Sequence, residues 1–186
     1  MQCEIIRRED APITVWSGGS TTEYFIYPPG ADYAARNFDL RISRAEVELA
    51  RSEFTSLPGY TRLLMPLDAP LRLVYQDQGE VSLKPSEATV FDGGWHTTSY
   101  GVCTDIGLMF SPAYQGRMEA AANGSYVCPI GFTGVYAPTD GTVTCPCGTH
   151  TLRQGDFFLL YTQKDTEITL DFPDGQRAVC IQAFPV

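Results

Sequence analysis

The sequence predicts an all-β fold, a sandwich or a barrel. Apolar and polar residues alternate over short runs, turn-forming clusters separate those runs at close spacing, and the chain is rich in turn residues. Its 186 residues include 17 glycines and 13 prolines, above the ordinary combined share of about 12%. That length fits one domain, or two small β units.

Met1–Asp10 reads as a short strand and a charged turn, too polar for a secretory signal. Ser43–Ala50 is ambiguous: Arg, Ala, Glu and Leu favour a helix, but Ala45, Val47 and Leu49 alternate with Arg44, Glu46 and Glu48 at the strand period. Leu71, Leu73 and Tyr75 lead through Asp77–Glu80 to Val81–Leu83, a hairpin with glycine at its turn. Ala113–Asn123 is the one stretch expected to be helical, because Met118–Ala122 precedes Asn123-Gly124, a helix stop. Phe157–Tyr161 is a continuous apolar run and predicts a strand buried on both faces. Thr166–Phe172 alternates cleanly, Pro173-Asp174-Gly175-Gln176 turns, and Ala178–Phe184 is expected to be its hairpin partner.

The net charge of -9 argues against nucleic acid and anionic membranes as partners. No apolar run is long enough to span a bilayer. Six cysteines in a chain of this size, without a visible secretory signal, suggest reduced thiols and a cytoplasmic setting.

A family resemblance rests on motifs in order. Trp16–Glu23, Tyr27-Pro28, Phe38–Ala45, Phe54–Arg62, Phe91–Trp95 and Thr104–Met109 resemble the HutD/Ves family over roughly residues 14 to 110. The resemblance implies an RmlC-like cupin fold with two cupin-like β-barrel halves in one chain, a bicupin. The halves are expected near residues 1–112 and 113–186, packed as one body. It also implies that Phe38–Leu49 is a strand, and it associates the chain with histidine utilisation or stress responses. Two positions depart from the family pattern. Ser17 stands in the motif where many relatives read Trp-x-Asn-Gly-Gly, and Ile106-Gly107 replaces the usual Phe-Asn.

Metal-dependent cupins need several histidines. This chain has only His96 and His150, far apart and outside any His-x-His pair, so no metal and no cofactor are expected. Cys145-Pro146-Cys147 with His150 and Cys128 can be drawn as a zinc site. The spacing is not the usual two-residue gap, and small buried or edge side chains are the plainer reading.

The arginines carry the ligand hypothesis. Arg41 lies inside the apolar strand Phe38–Ile42, and Arg62 leads into Leu63-Leu64-Met65. A guanidinium among apolar neighbours needs a carboxylate partner or an anionic ligand, which its planar fork fits. Ser43 shares a face with Arg41. Arg41, Ser43, Arg62, Asp105, Met109 and Trp16 are therefore the candidate ligand-binding residues, and a small organic acid is the candidate ligand. The competing structural reading pairs the arginines internally with Glu46, Asp39 or Asp105. The competing functional reading is a metal-free isomerase or hydrolase using Asp105, Glu46 or His96 as acid or base. The resemblance leaves room for a homodimer paired through sheet edges.

Overall fold

A computed structural model describes residues 1–186, and every regular element in it is a strand. The chain divides into two compact units. One is Pro12–Tyr114; the other joins Met1–Ala11 to Gln115–Val186. The first strand, β1 (Gln2–Ile6), belongs to the second of these.

The Pro12–Tyr114 unit contains β2 (Ile13–Trp16), β3 (Gly19–Tyr27), β4 (Leu40–Val47), β5 (Arg51–Glu53), β6 (Thr61–Pro66), β7 (Leu71–Tyr75), β8 (Gly79–Leu83), β9 (Thr89–Asp92), β10 (Thr97–Tyr100) and β11 (Cys103–Phe110). Six strands form one sheet in the order β2-β3-β4-β11-β6-β9, and four form another in the order β5-β10-β7-β8. The ambiguous Ser43–Ala50 stretch is strand through Val47. β4 is paired on both sides, by β3 and β11, and those pairings override its helix propensity. The Leu71–Leu83 hairpin forms as read, with Tyr75 opposite Gly79. Leu64 and Phe91 from the six-stranded sheet pack with Leu71, Leu73, Tyr75 and Leu83 from the four-stranded one.

The terminal unit adds β12 (Tyr114–Ala121), β13 (Gly124–Cys128), β14 (Gly131–Tyr136), β15 (Gly141–Cys145), β16 (Gly148–Leu152), β17 (Phe157–Thr162), β18 (Thr166–Asp171) and β19 (Ala178–Pro185). Its sheets run β1-β17-β14-β19-β12 and β13-β18-β15-β16. Two expectations fail here. Ala113–Asn123 is the strand β12, not a helix. Sheet pairing with β19 outweighs the helix propensity of Met118–Ala122. Asn123 closes no helix; its side chain holds the backbone of Phe172 from both directions. Nor do β18 and β19 form a hairpin. The Pro173–Gln176 turn exists, but β18 pairs with β13 and β15, whereas β19 pairs with β14 in the other sheet. Both strands carry an apolar face, so they serve the core better from opposite sheets than side by side. In β17, Tyr161 is exposed while its neighbours are buried.

Each unit is thus a jelly roll of two open sheets. The sheets do not close into barrels: each keeps two edge strands.

Candidate functional site

Register places the candidate residues in the Pro12–Tyr114 unit. Met109 of β11 lies opposite Arg41 of β4 on one side and Arg62 of β6 on the other. Two steps along, Gly107 lies between Ser43 and Leu64, and two steps further Asp105 lies between Ala45 and Pro66. Alternation puts all of them on one face. Leu64 and Phe91 show that this face is the interior. Arg41 and Arg62, one strand apart on either side of Met109, have backbones roughly 10 Å apart.

The two guanidiniums are satisfied differently. Arg41 donates from Nε to Glu23 Oε2 at 2.6 Å and from a terminal nitrogen to Ser43 Oγ at 3.1 Å. Its guanidinium carbon sits 4.2 Å from the centre of the Tyr33 ring, a cation–π distance. The internal-pairing reading therefore holds for Arg41, although its partner is Glu23 and none of the three acids expected. Arg62 is only 5% exposed and has no carboxylate within salt-bridge reach. One terminal nitrogen donates to the Thr55 carbonyl at 2.6 Å. Its Nε is buried with no hydrogen-bond partner. Burial lowers the Arg62 pKa below the usual guanidinium value and Arg41 lowers it further, while Tyr33 and Asp105 oppose the shift.

The loops explain why Arg62 stays buried. Gly93 donates to the Tyr60 carbonyl and accepts from Leu57 N, and a Cβ there would lie 2.8 Å from both the Leu57 and Tyr60 carbonyl oxygens. Only glycine permits that approach. The Tyr60 ring stacks on Phe38 at 4.4 Å, and its hydroxyl donates to the Phe38 carbonyl. Phe54 lies beside the Arg62 guanidinium at 5.5 Å. These contacts knit the Phe54–Arg62 and Phe91–Trp95 motifs into one wall.

Asp105 is 6% exposed. Burial pushes its carboxyl up to about 7, against the pull of Arg44 and Arg62. Gly107 is half-buried on this inner face, and a Cβ there would meet nothing within 4 Å except the Leu63 carbonyl oxygen at 3.3 Å. A side chain at Gly107 would thus find space on this face, between the arginine pair and Asp105. On β5 of the four-stranded sheet, the buried Ser52 Oγ also lacks a partner.

Five of the six candidates, Arg41, Ser43, Arg62, Asp105 and Met109, thus share one face. Trp16 does not join them. It lies opposite Gly19 on the edge strand β2, packs over Gly18 and donates to Thr21 Oγ1. Glu23, Tyr33 and Gly107 carry the geometry without having been singled out as ligand residues. Of these, Glu23 was the most findable, since it lies within the Trp16–Glu23 motif. His96 is exposed and Glu46 pairs with Arg44 at 2.6 Å, so Asp105 is the acid–base candidate that reaches the interior.

Cupin folds often hold a metal among inward histidines. The inner face here offers two guanidiniums, a hydroxyl, a thioether and one carboxyl, a set unsuited to a dication.

Two jelly rolls in one chain define the bicupin class, and the comparisons agree. The HutD family profile matches residues 8–179, and the chain belongs to the HutD family. The conserved protein PA5104 from Pseudomonas aeruginosa PAO1 is 19% identical with a TM-score of 0.86, covering 98% of this chain and 99% of that one. HutD from Pseudomonas fluorescens SBW25, described as a formate condition, is 20% identical with a TM-score of 0.80 over 100% of both chains. The pirin YhhW from Escherichia coli, in complex with nickel(II), is 10% identical with a TM-score of 0.63 over 99% of both chains. No curated protein matches in sequence. No helix is long and apolar enough to cross a membrane.

Proposed function

We propose that the Pro12–Tyr114 unit binds a small carboxylate at Arg62, and that the protein is a cytoplasmic binding or regulatory protein linked to histidine utilisation. The carrying observation is the state of Arg62: 5% exposed, without a carboxylate partner, its Nε unsatisfied. A buried, under-partnered guanidinium is costly, and an anion that supplies two parallel hydrogen bonds removes that cost. The open space over Gly107 gives the ligand's body a place, and Tyr33, Phe54 and Met109 give it apolar neighbours. A family relative is described in a formate condition, and formate is a small carboxylate. The acids of histidine breakdown (urocanate, formiminoglutamate, formylglutamate and formate) are the ligands to try.

Calorimetric titration with each acid is the test. At least one is expected to bind, with affinity falling on the order of 100-fold in Arg62→Met, the scale of a lost charge-assisted pair of hydrogen bonds. No heat with any of the four removes these ligands. Equal affinity in a folded Arg62→Met variant removes the site.

A second reading draws on Asp105. A buried carboxyl pushed up to about 7 is poised as an acid–base group near neutral pH. Turnover of a bound acid that disappears in Asp105→Asn while binding survives would make the protein an enzyme.

A further inference from the structure

In the terminal unit, two segments distant in sequence, the N-terminal strand and the β15–β16 hairpin, bring soft donors together. Cys3 comes from β1, Cys145 from the end of β15 and His150 from β16. Their ligand atoms all lie within 4.8 Å of one another. The β1 and β16 strands are the edges of the two facing sheets, so the cluster sits where those edges meet. Cys3 faces inward: it packs on the core cluster that holds Leu160, its partner across the sheet, and Cys145.

A fourth donor is adjacent. Cys147 lies in the two-residue turn Pro146-Cys147 between β15 and β16, near enough that its thiol adds to the burial that raises the Cys3 and Cys145 thiol pKa values. Cys147 is the exposed member, Cys145 is buried, and Cys3 and His150 are intermediate. Three thiols and one imidazole are a common zinc donor set.

The Cys3–His150 spacing also agrees. Bonds of about 2.3 Å to sulfur and 2.0–2.1 Å to nitrogen place the corners of a tetrahedron about 3.6–3.8 Å apart. Cys3 Sγ lies 3.7 Å from His150 Nε2. The His150 ring rests against Phe158, centroids 5.1 Å apart, which limits its rotation.

We propose that Cys3, Cys145, Cys147 and His150 form a tetrahedral site for a borderline transition-metal dication of the zinc type, clasping the N-terminal strand to the β15–β16 hairpin. On binding, each thiol gives its proton to solvent and the imidazole binds as the neutral base. Three thiolates and a dication leave the closed site with one net negative charge. Four protein ligands leave no open position, so the role is structural and not catalytic.

The test uses full-length protein, reduced, stripped of metal, then titrated with cobalt(II) and with zinc against a chromophoric chelator. Cobalt should give tetrahedral visible bands and a thiolate charge-transfer band, saturating at one ion per chain, and zinc should displace it. Cys147→Ser, at an exposed turn, and His150→Gln, at an intermediate position, should still fold and should each weaken zinc on the order of 100-fold. Arg62→Met should bind zinc as the parent does, which separates this site from the carboxylate site. Absence of the charge-transfer band, or equal zinc affinity in both cluster variants, overturns the proposal. Thiols that return to a disulfide between Cys3 and Cys145 or Cys147, with no cobalt bound after reduction, overturn it as well.

Discussion

The interiors of the two jelly rolls are built from different materials. In the terminal unit, Val135, Val143, Leu152, Phe158, Leu160, Ile168, Leu170 and Phe172 fill the space between the sheets. Gly141 even gives up its side chain to admit the Phe172 ring, which a Cβ would meet at 2.2 Å. In the Pro12–Tyr114 unit the inner face carries Arg41, Arg62, Asp105 and Ser43, and a Cβ at Gly107 would meet nothing within 4 Å but the Leu63 carbonyl oxygen. One architecture therefore admits two kinds of interior. Filled with hydrocarbon it stabilises; left partly open, with charge inside, it can hold a polar ligand.

Several substitutions would break or sharpen that contrast. The largest effect should come from the filled side. Phe158 is fully buried, and Phe158→Ala should cost about 3–5 kcal/mol by lost transfer energy and an unfilled cavity. Denaturant melts measure it, and a loss under 1 kcal/mol would mean that this core is not tightly packed.

On the charged side, Arg41→Met should cost about 1–3 kcal/mol, because it strands Glu23, a partner still 25% exposed and able to regain some water. Arg62→Met strands no carboxylate and should hold its stability within about 1 kcal/mol while losing the ligand. Equal destabilisation by the two would erase the distinction between a paired and a waiting arginine.

Asp105 adds a pH signature. Its folded-state pKa is raised from 3.8 to about 7, so between those values the folded protein holds a proton that the unfolded chain has released. Stability contributed at low pH is then lost as pH rises from about 4 to about 7, at up to about 1.4 kcal/mol per pH unit, and the loss levels off above. Asp105→Asn should remove this slope, leaving the variant more stable than the parent at pH 8 and little changed at pH 4. An unchanged slope would show that the carboxyl is not held protonated.

The smallest stability effect should come from Gly107→Val. Its Cβ asks the Leu63 carbonyl to yield only slightly, and valine suits a strand. The cost should stay within about 1 kcal/mol, yet acid binding should fall sharply. Retained binding would place the ligand elsewhere.

Much of this could be read in the chain, because the relevant signals are local. Alternation and turn chemistry marked β7–β8 and β18, and the family motifs marked β4 as a strand. The same alternation grouped Arg41 with Ser43. Pairing was less legible. The Pro173–Gln176 turn looks the same whether the next strand returns beside β18 or crosses to the facing sheet, since local dihedrals do not encode the partner. The helix expected at Ala113–Asn123 failed for a related reason: propensity was judged without the strand that β12 pairs with.

By itself, then, the sequence determined an all-β bicupin of the HutD family, poor in histidine, with two arginines in apolar strands. Only the tertiary structure decided that Arg41 is paired with Glu23 while Arg62 is not, and that Cys3 joins Cys145 and His150. Side-chain period fixes which face a residue occupies. Who stands opposite depends on register and sheet order, which arise from contacts between segments up to about 160 residues apart.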